Sequence, residues 1–197
     1  MVMEDKRIIK TRKNIKATLI ELLQKQSFEK VSVSEICRVG ETSRITFYTY
    51  YDDKYSLVEE MFRDYITEAT KDYHRLQEKN NPENNARKGY DNLLECILNL
   101  YENNALFFSQ TTPAKNPYLY SAFFQHVFEN VEDYLNRHNQ QIKTKYSSRQ
   151  TASFMCNGLG GVINECFLPG TKREIVCENI RNMYRDILES PLFIGVN

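Results

Sequence analysis

The chain has 197 residues, of which 41% are hydrophobic, with 26 basic and 26 acidic side chains. That length can bury a core as one domain or as two small ones, and the balanced charge excludes a global basic excess, so a surface for a polyanion has to be local. No window approaches the roughly twenty apolar residues of a membrane span, and the first residues carry no apolar leader, so no membrane partner and a cytoplasmic location are expected.

In chain order, residues 11–24 read as an amphipathic helix with Ile15, Leu19, Leu22 and Leu23 on one side. Lys6, Arg7, Lys10, Arg12, Lys13 and Lys16 lie before it and on its early turns, opposed only by Glu4 and Asp5. Such a cluster is either a solvated face or an arm for nucleic-acid phosphates.

Ser32 and Glu35 have the S-x-x-E spacing of a capping box, in which each side chain hydrogen-bonds the other's backbone amide. Val33, Ile36 and Cys37 give the helix that begins there one apolar face, and Gly40 is expected to end it with a positive φ. Thr42 or Ser43 offers the next N-cap, opening a helix with Arg44, Thr46 and Tyr48 interleaved by Ile45 and Phe47. Helix, tight turn and second helix make a helix-turn-helix, whose second helix presents its N-terminal residues to base edges. Arginine bridges guanine O6 and N7, which makes Arg44 the candidate base reader, while the Ser43 and Thr46 hydroxyls serve a base or a phosphate. Two short helices around a Gly bend also occur in all-helical proteins that never touch nucleic acid.

Residues 28–57 closely resemble the DNA-binding module of the TetR family of bacterial transcriptional regulators. The match runs through Phe28, Val33, Glu35, Ile36, Ser43, Thr46, Phe47, Tyr48, Tyr50, Tyr51, Lys54 and Leu57, and its most specific part is the run from Tyr48 to Lys54. Departures are Ser27 where the family usually has glycine, a turn glycine one residue early with Glu41 in its usual place, and Ile45 in place of another glycine. The resemblance implies an all-α fold with an N-terminal three-helix DNA-binding module and a C-terminal helical domain for effector binding and dimerisation. It implies DNA contacts by Ser32, Thr42, Ser43, Arg44, Thr46, Phe47, Tyr48 and Lys54, with Tyr48 and Lys54 on the backbone. Backbone amides at the start of the helix that carries Lys54 also favour an anion. Tyr50 and Tyr51 are expected to pack the module together.

Beyond Leu57, Val58, Met61, Phe62, Tyr65, Ile66 and Tyr73 continue a helix to about residue 77, and the polar, proline-containing stretch 80–85 marks a break. The expected division is residues 1–56 for DNA binding, 57–79 as a connecting helix and 80–197 for effector sensing and dimerisation. Further helices are expected at 84–103, 117–139, 147–168 and 171–189, with no sustained strand alternation. Tyr90, Tyr101, Phe107, Phe108, Tyr118, Tyr120, Phe123, Phe124, Phe128 and Tyr134 supply aromatic surface for a pocket or for core, so the effector expectation is a small apolar or aromatic molecule with no residues assigned to it.

Phe154, Gly158 and Gly161 share one face of the penultimate helix and leave a groove for another backbone. Val176, Ile180, Met183, Tyr184, Ile187 and Leu188 form a broad apolar stripe on the last. In TetR-like proteins this pair builds a dimer interface, which implies a homodimer on double-stranded DNA with a near-palindromic operator; the alternative is that these faces fill the domain's own core. Residues 154–165 also resemble short TetR-like regulators that include activators of dihydroxyacetone kinase genes.

Catalysis has little support. There is no G-x-S-x-G, H-E-x-x-H or Walker loop, and His74, His126 and His138 lack metal-ligand spacing, so no catalytic residue, metal or cofactor is expected. Cys37, Cys96, Cys156, Cys166 and Cys177 are odd in number without a C-x-x-C pair and read as reduced, mostly buried thiols. The leading function is a sequence-specific transcriptional regulator, a repressor released by a small molecule. The alternative is a TetR-like activator or adapter that works through a protein partner.

Overall fold

The computed structural model describes residues 6–141 and 143–194, and they form an all-α protein that divides into two compact units, the described residues up to 65 with 104–121 and the described residues of 66–103 with those from 122 onward. The first unit opens with α1 (Lys6–Leu23), which buries Ile15, Thr18, Leu19, Leu22 and Leu23. A short 3-10 turn (Phe28–Lys30) leads to α2 (Val33–Val39), α3 (Arg44–Tyr50) and the first turns of α4 (Lys54–Asn80). Ile15, Leu19, Phe28, Ile36, Phe47, Leu57, Val58 and Phe62 are all essentially inaccessible and make the core these helices share.

Local caps explain where the short helices start. The Ser32 hydroxyl accepts from the Glu35 amide at 3.2 Å, but the reciprocal half of the expected box is absent, because the Glu35 carboxylate accepts instead from Gln26 Nε2 at 2.7 Å. Ser43 caps α3 by accepting from the Thr46 amide at 3.0 Å. The turn between α2 and α3 corrects the glycine expectation: Gly40 has φ −83° and the positive φ, 47°, belongs to Glu41. Gly40 is needed for closeness, since a Cβ there would lie 2.7 Å from the Thr18 hydroxyl of α1.

The division at residue 80 is also revised. Asn104–Ser121, expected with the C-terminal domain, belongs to the first unit. This segment holds α6 (Ala105–Phe108) and the start of α7 (Pro117–Arg137). Asn116, 1% exposed, accepts from the Phe28 amide at 2.6 Å, and Tyr118 stacks on Phe28 with ring centroids 5.6 Å apart. Phe107 meets Phe62 and Tyr65 at 6.1 and 5.3 Å. The 80–85 break is instead a turn within the second unit, where Asn81 binds the Asn85 amide and carbonyl.

The second unit comprises the rest of α4 and α7 with α5 (Ala86–Asn103), α8 (Ser148–Glu165) and α9 (Arg173–Glu189). Its core gathers Tyr90, Leu94, Leu98, Phe128, Tyr134, Met155, Ile163, Ile180, Tyr184 and Leu188. Gly89 lets the Tyr134 ring lie across α5, because a Cβ there would fall 2.0 Å from the Tyr134 hydroxyl. Ser147 and Gln150 complete a reciprocal capping box at the start of α8. A two-residue antiparallel ladder pairs β1 (Lys143–Thr144) with β2 (Phe193–Ile194), too short to leave an alternation in the sequence.

The last two helices divide their apolar residues between two faces. Ile180, Tyr184 and Leu188 turn into the unit's own core, whereas Phe154, Ile175 and Met183 are exposed. Among the described residues, a Cβ at Gly158 or Gly161 would meet nothing within 4 Å. Among the described residues, no helix is long and apolar enough to cross a membrane.

Candidate nucleic-acid interface

Helix α3 is amphipathic over its two turns. Phe47 is fully buried and ring-packed against Tyr51 at 5.5 Å, and it faces the core while Arg44, Ile45, Tyr48 and Thr49 point outward. At 100° per residue these four span one continuous arc, the face a recognition helix presents to a groove. The Arg44 guanidinium sits 5.8 Å from the Tyr48 ring centroid, so a cation and an aromatic ring share the arc.

The structure sorts the eight residues expected to touch DNA. Arg44 and Tyr48 are exposed on α3, and Ser32 and Ser43 are exposed N-caps whose hydroxyl oxygens already accept backbone amides. Thr46 is half-buried, its hydroxyl paired with that of Ser43 at 2.8 Å. Thr42 donates to the Gly40 carbonyl at 3.0 Å and helps hold the turn. Phe47 is a correction: with 0% exposure it is core and offers nothing to a ligand.

Lys54 also has a role that its motif position did not disclose. Its ammonium donates to the carbonyls of Phe28, Glu29 and Val31 at 2.8, 3.0 and 2.9 Å, which uses all three hydrogens, and it lies 4.6 Å from the Phe28 ring centroid. The lysine thereby closes the 3-10 turn onto the start of α4. Burial lowers its pKa, with Glu29 nearby acting in the opposite sense. The amides at the same helix start are likewise occupied, since the Asp53 carboxylate accepts from Tyr55 and Ser56 at 2.9 and 2.7 Å.

The basic cluster of α1 separates into two sets. Arg12 and Lys16 turn inward and pair with Glu60, which also accepts from the Tyr51 hydroxyl at 2.9 Å. Burial raises the Glu60 pKa, but hydrogen bonds from Arg12, Lys16 and Tyr51 outweigh it and hold the carboxyl below its ordinary value. Lys6, Lys10 and Lys13 remain exposed, with Arg38 and Lys30 elsewhere in the unit. Glu4 and Asp5, expected to oppose the cluster, lie outside the described residues.

Residue-type reasoning missed Ile45 and Thr49, although a helical projection anchored on Arg44 and Tyr48 places both beside them. It also missed Glu60, Thr18 and Asn116, whose partners are remote in sequence. The second unit contains a cavity of about 350 Å³ walled by α4, α5 and α7. Of the ten aromatics expected to supply pocket or core, Tyr101 and Tyr134 line it, while Phe107, Phe108 and Tyr118 pack in the first unit.

No family model matches the chain. It is 23% identical over 186 residues, 90% of each chain, to the HTH-type dhaKLM operon transcriptional activator DhaS of Lactococcus lactis. A Syntrophomonas wolfei protein assigned to the TetR-family transcriptional regulators superposes with a TM-score of 0.73, at 13% identity over 92% of this chain and 96% of that one. A TetR transcriptional regulator of Streptococcus agalactiae gives 0.58 at 20% identity, covering 91% and 96%. The chain therefore has the fold of the TetR-family transcriptional regulators.

Proposed function

We propose that this protein is a cytoplasmic, sequence-specific DNA-binding transcriptional regulator of the TetR type. The observation that carries this reading is the outward arc of α3, where Arg44 and Tyr48 stand exposed on the second helix of a helix-turn-helix whose opposite side is locked in the core. Arg44 reads a guanine, Tyr48 and Ser43 contact the sugar-phosphate backbone, and Lys6, Lys10 and Lys13 add sequence-independent attraction. Thr42, Thr46, Ser32 and Lys54 support that surface by fixing the turns around it.

The reading includes a homodimer through α8 and α9. Phe154 is 62% exposed, and the two open glycines beside it each cost about 1 kcal/mol against alanine in a helix, with no packing among the described residues that requires them. A second copy of this face supplies a reason. Two modules about 34–36 Å apart then meet successive major grooves, and the operator is a near-palindrome. The effector is a small apolar or aromatic molecule held in the second unit's cavity, whose lining combines Ile66, Leu93, Ile97, Tyr73 and Tyr134 with His74, His138 and Arg137 and, among the described residues, includes no carboxylate.

Repression released by that effector is the leading mode. Activation through a protein partner is the second reading, favoured by the activator named among the relatives. Sequencing the genomic fragments retained by the purified protein tests the whole: recovery of a shared near-palindrome is expected, and random recovery refutes it. A reporter placed behind a recovered fragment, with and without the protein, separates repression from activation.

A further inference from the structure

Ile45 is 83% exposed, more than any other large hydrophobic side chain among the described residues. It is the second residue of α3 and lies inside the outward arc, with Arg44 before it and Tyr48 and Thr49 one turn on. The Thr49 hydroxyl donates to the Ile45 carbonyl at 2.9 Å, so this hydrogen is not available to a base acceptor and Ile45 is the largest apolar group on the arc's N-terminal end. Phe47 supplies the helix's inward anchor, so nothing in the first unit's packing calls for an isoleucine at position 45. An apolar side chain that water surrounds on most sides, at the N-terminal end of a recognition helix, is complementary to the one apolar group on a base edge in the major groove, the thymine C5 methyl.

We propose that Ile45 is a specificity-determining residue that reads a thymine methyl next to the base contacted by Arg44. This rests on the DNA-binding reading above and adds to it the base class at a second position. An arginine beside an isoleucine then specifies a guanine adjacent to an A·T pair, so the half-site is chosen by one polar and one apolar contact.

The test is methyl deletion on the DNA. An operator duplex is recovered by selection from random sequences, and each half-site thymine is replaced in turn by deoxyuridine, which removes only the C5 methyl. At one position the wild-type protein is expected to lose about fourfold in affinity, the value of one buried methyl group. Ile45→Ala is expected to bind more weakly and to be indifferent to that replacement, and Ile45→Val to fall between. Because the side chain is exposed, the thermal melts of both variants are expected to match the wild type. Wild-type indifference to deoxyuridine at every position, or an equal loss in wild type and Ile45→Ala, overturns the proposal while leaving DNA binding intact. Failure of the wild type to retain any duplex overturns both.

Discussion

At the residue scale, the side chains that build the outward arc of α3 and those that support it are distinct, and mutation separates them. Lys54→Ala leaves three carbonyls without their cation and is expected to cost about 2 kcal/mol of stability, read as a lower melting temperature. The slope of log affinity against log salt is expected to stay unchanged for the folded variant, because this ammonium is committed to the protein; a slope flattened by about one unit assigns it to a phosphate instead. Glu60 gives a pH signature. Its folded pKa lies below the ordinary carboxylate value, so its contribution is present above that value and is lost as pH falls through the folded one. Acid titration of stability is expected to show this loss in the wild type, with Glu60→Gln less stable at neutral pH and flatter in the acid range. The Ser43 cap and the place of Arg44 at the start of α3 were legible from residue type and spacing, because caps and helix faces are local, whereas the role expected of Tyr48 came from the family resemblance. Lys54 was not, since its three acceptors lie 23 to 26 positions away and only the folded chain brings them together.

At the scale of elements, the first unit depends on the close approach of α1 to the turn after α2. Gly40→Ala puts a methyl group 2.7 Å from the Thr18 hydroxyl and is expected to destabilise by about 1–3 kcal/mol. Thr18→Ala in the same chain is expected to recover part of that loss, and a double-mutant thermal series measures it; simple additivity of the two losses refutes the close-packing account. Phe47→Ala is expected to cost about 3–5 kcal/mol and to unfold the module before any effect on base reading is measurable. Helix positions followed from apolar spacing and caps, so α2, α3, α5, α8 and α9 lay close to their expected bounds. The inclusion of residues 104–121 in the first unit was hidden, because an Asn116 hydrogen bond and a Tyr118 ring stack carry no local pattern. The 80–85 stretch had every sign of a domain border, but polar turn formers mark a change of direction equally well.

At the scale of the molecule, regulation requires an effector that binds two conformations with different affinity. The cavity walls include α4 and α7, and both helices continue along the chain into the first unit, so occupancy has a covalent route to the helix-turn-helix. We expect a bound apolar ligand to change operator affinity, and Ile97→Trp, which fills the cavity, to abolish that response while leaving operator binding in the absence of ligand. The homodimer prediction is separate: Gly158→Leu is expected to shift the sedimentation coefficient toward that of a monomer, and an unchanged coefficient removes α8 from the interface. The most direct test of the central claim, that the outward arc of α3 reads DNA, is fluorescence anisotropy of a selected operator duplex across a salt series with wild type and Arg44→Ala. Wild-type affinity is expected to fall linearly on logarithmic axes with rising salt, and Arg44→Ala to lose discrimination at one guanine position. A wild-type protein that retains no duplex even in dilute buffer, or an Arg44→Ala variant with undiminished discrimination at every position, contradicts that claim.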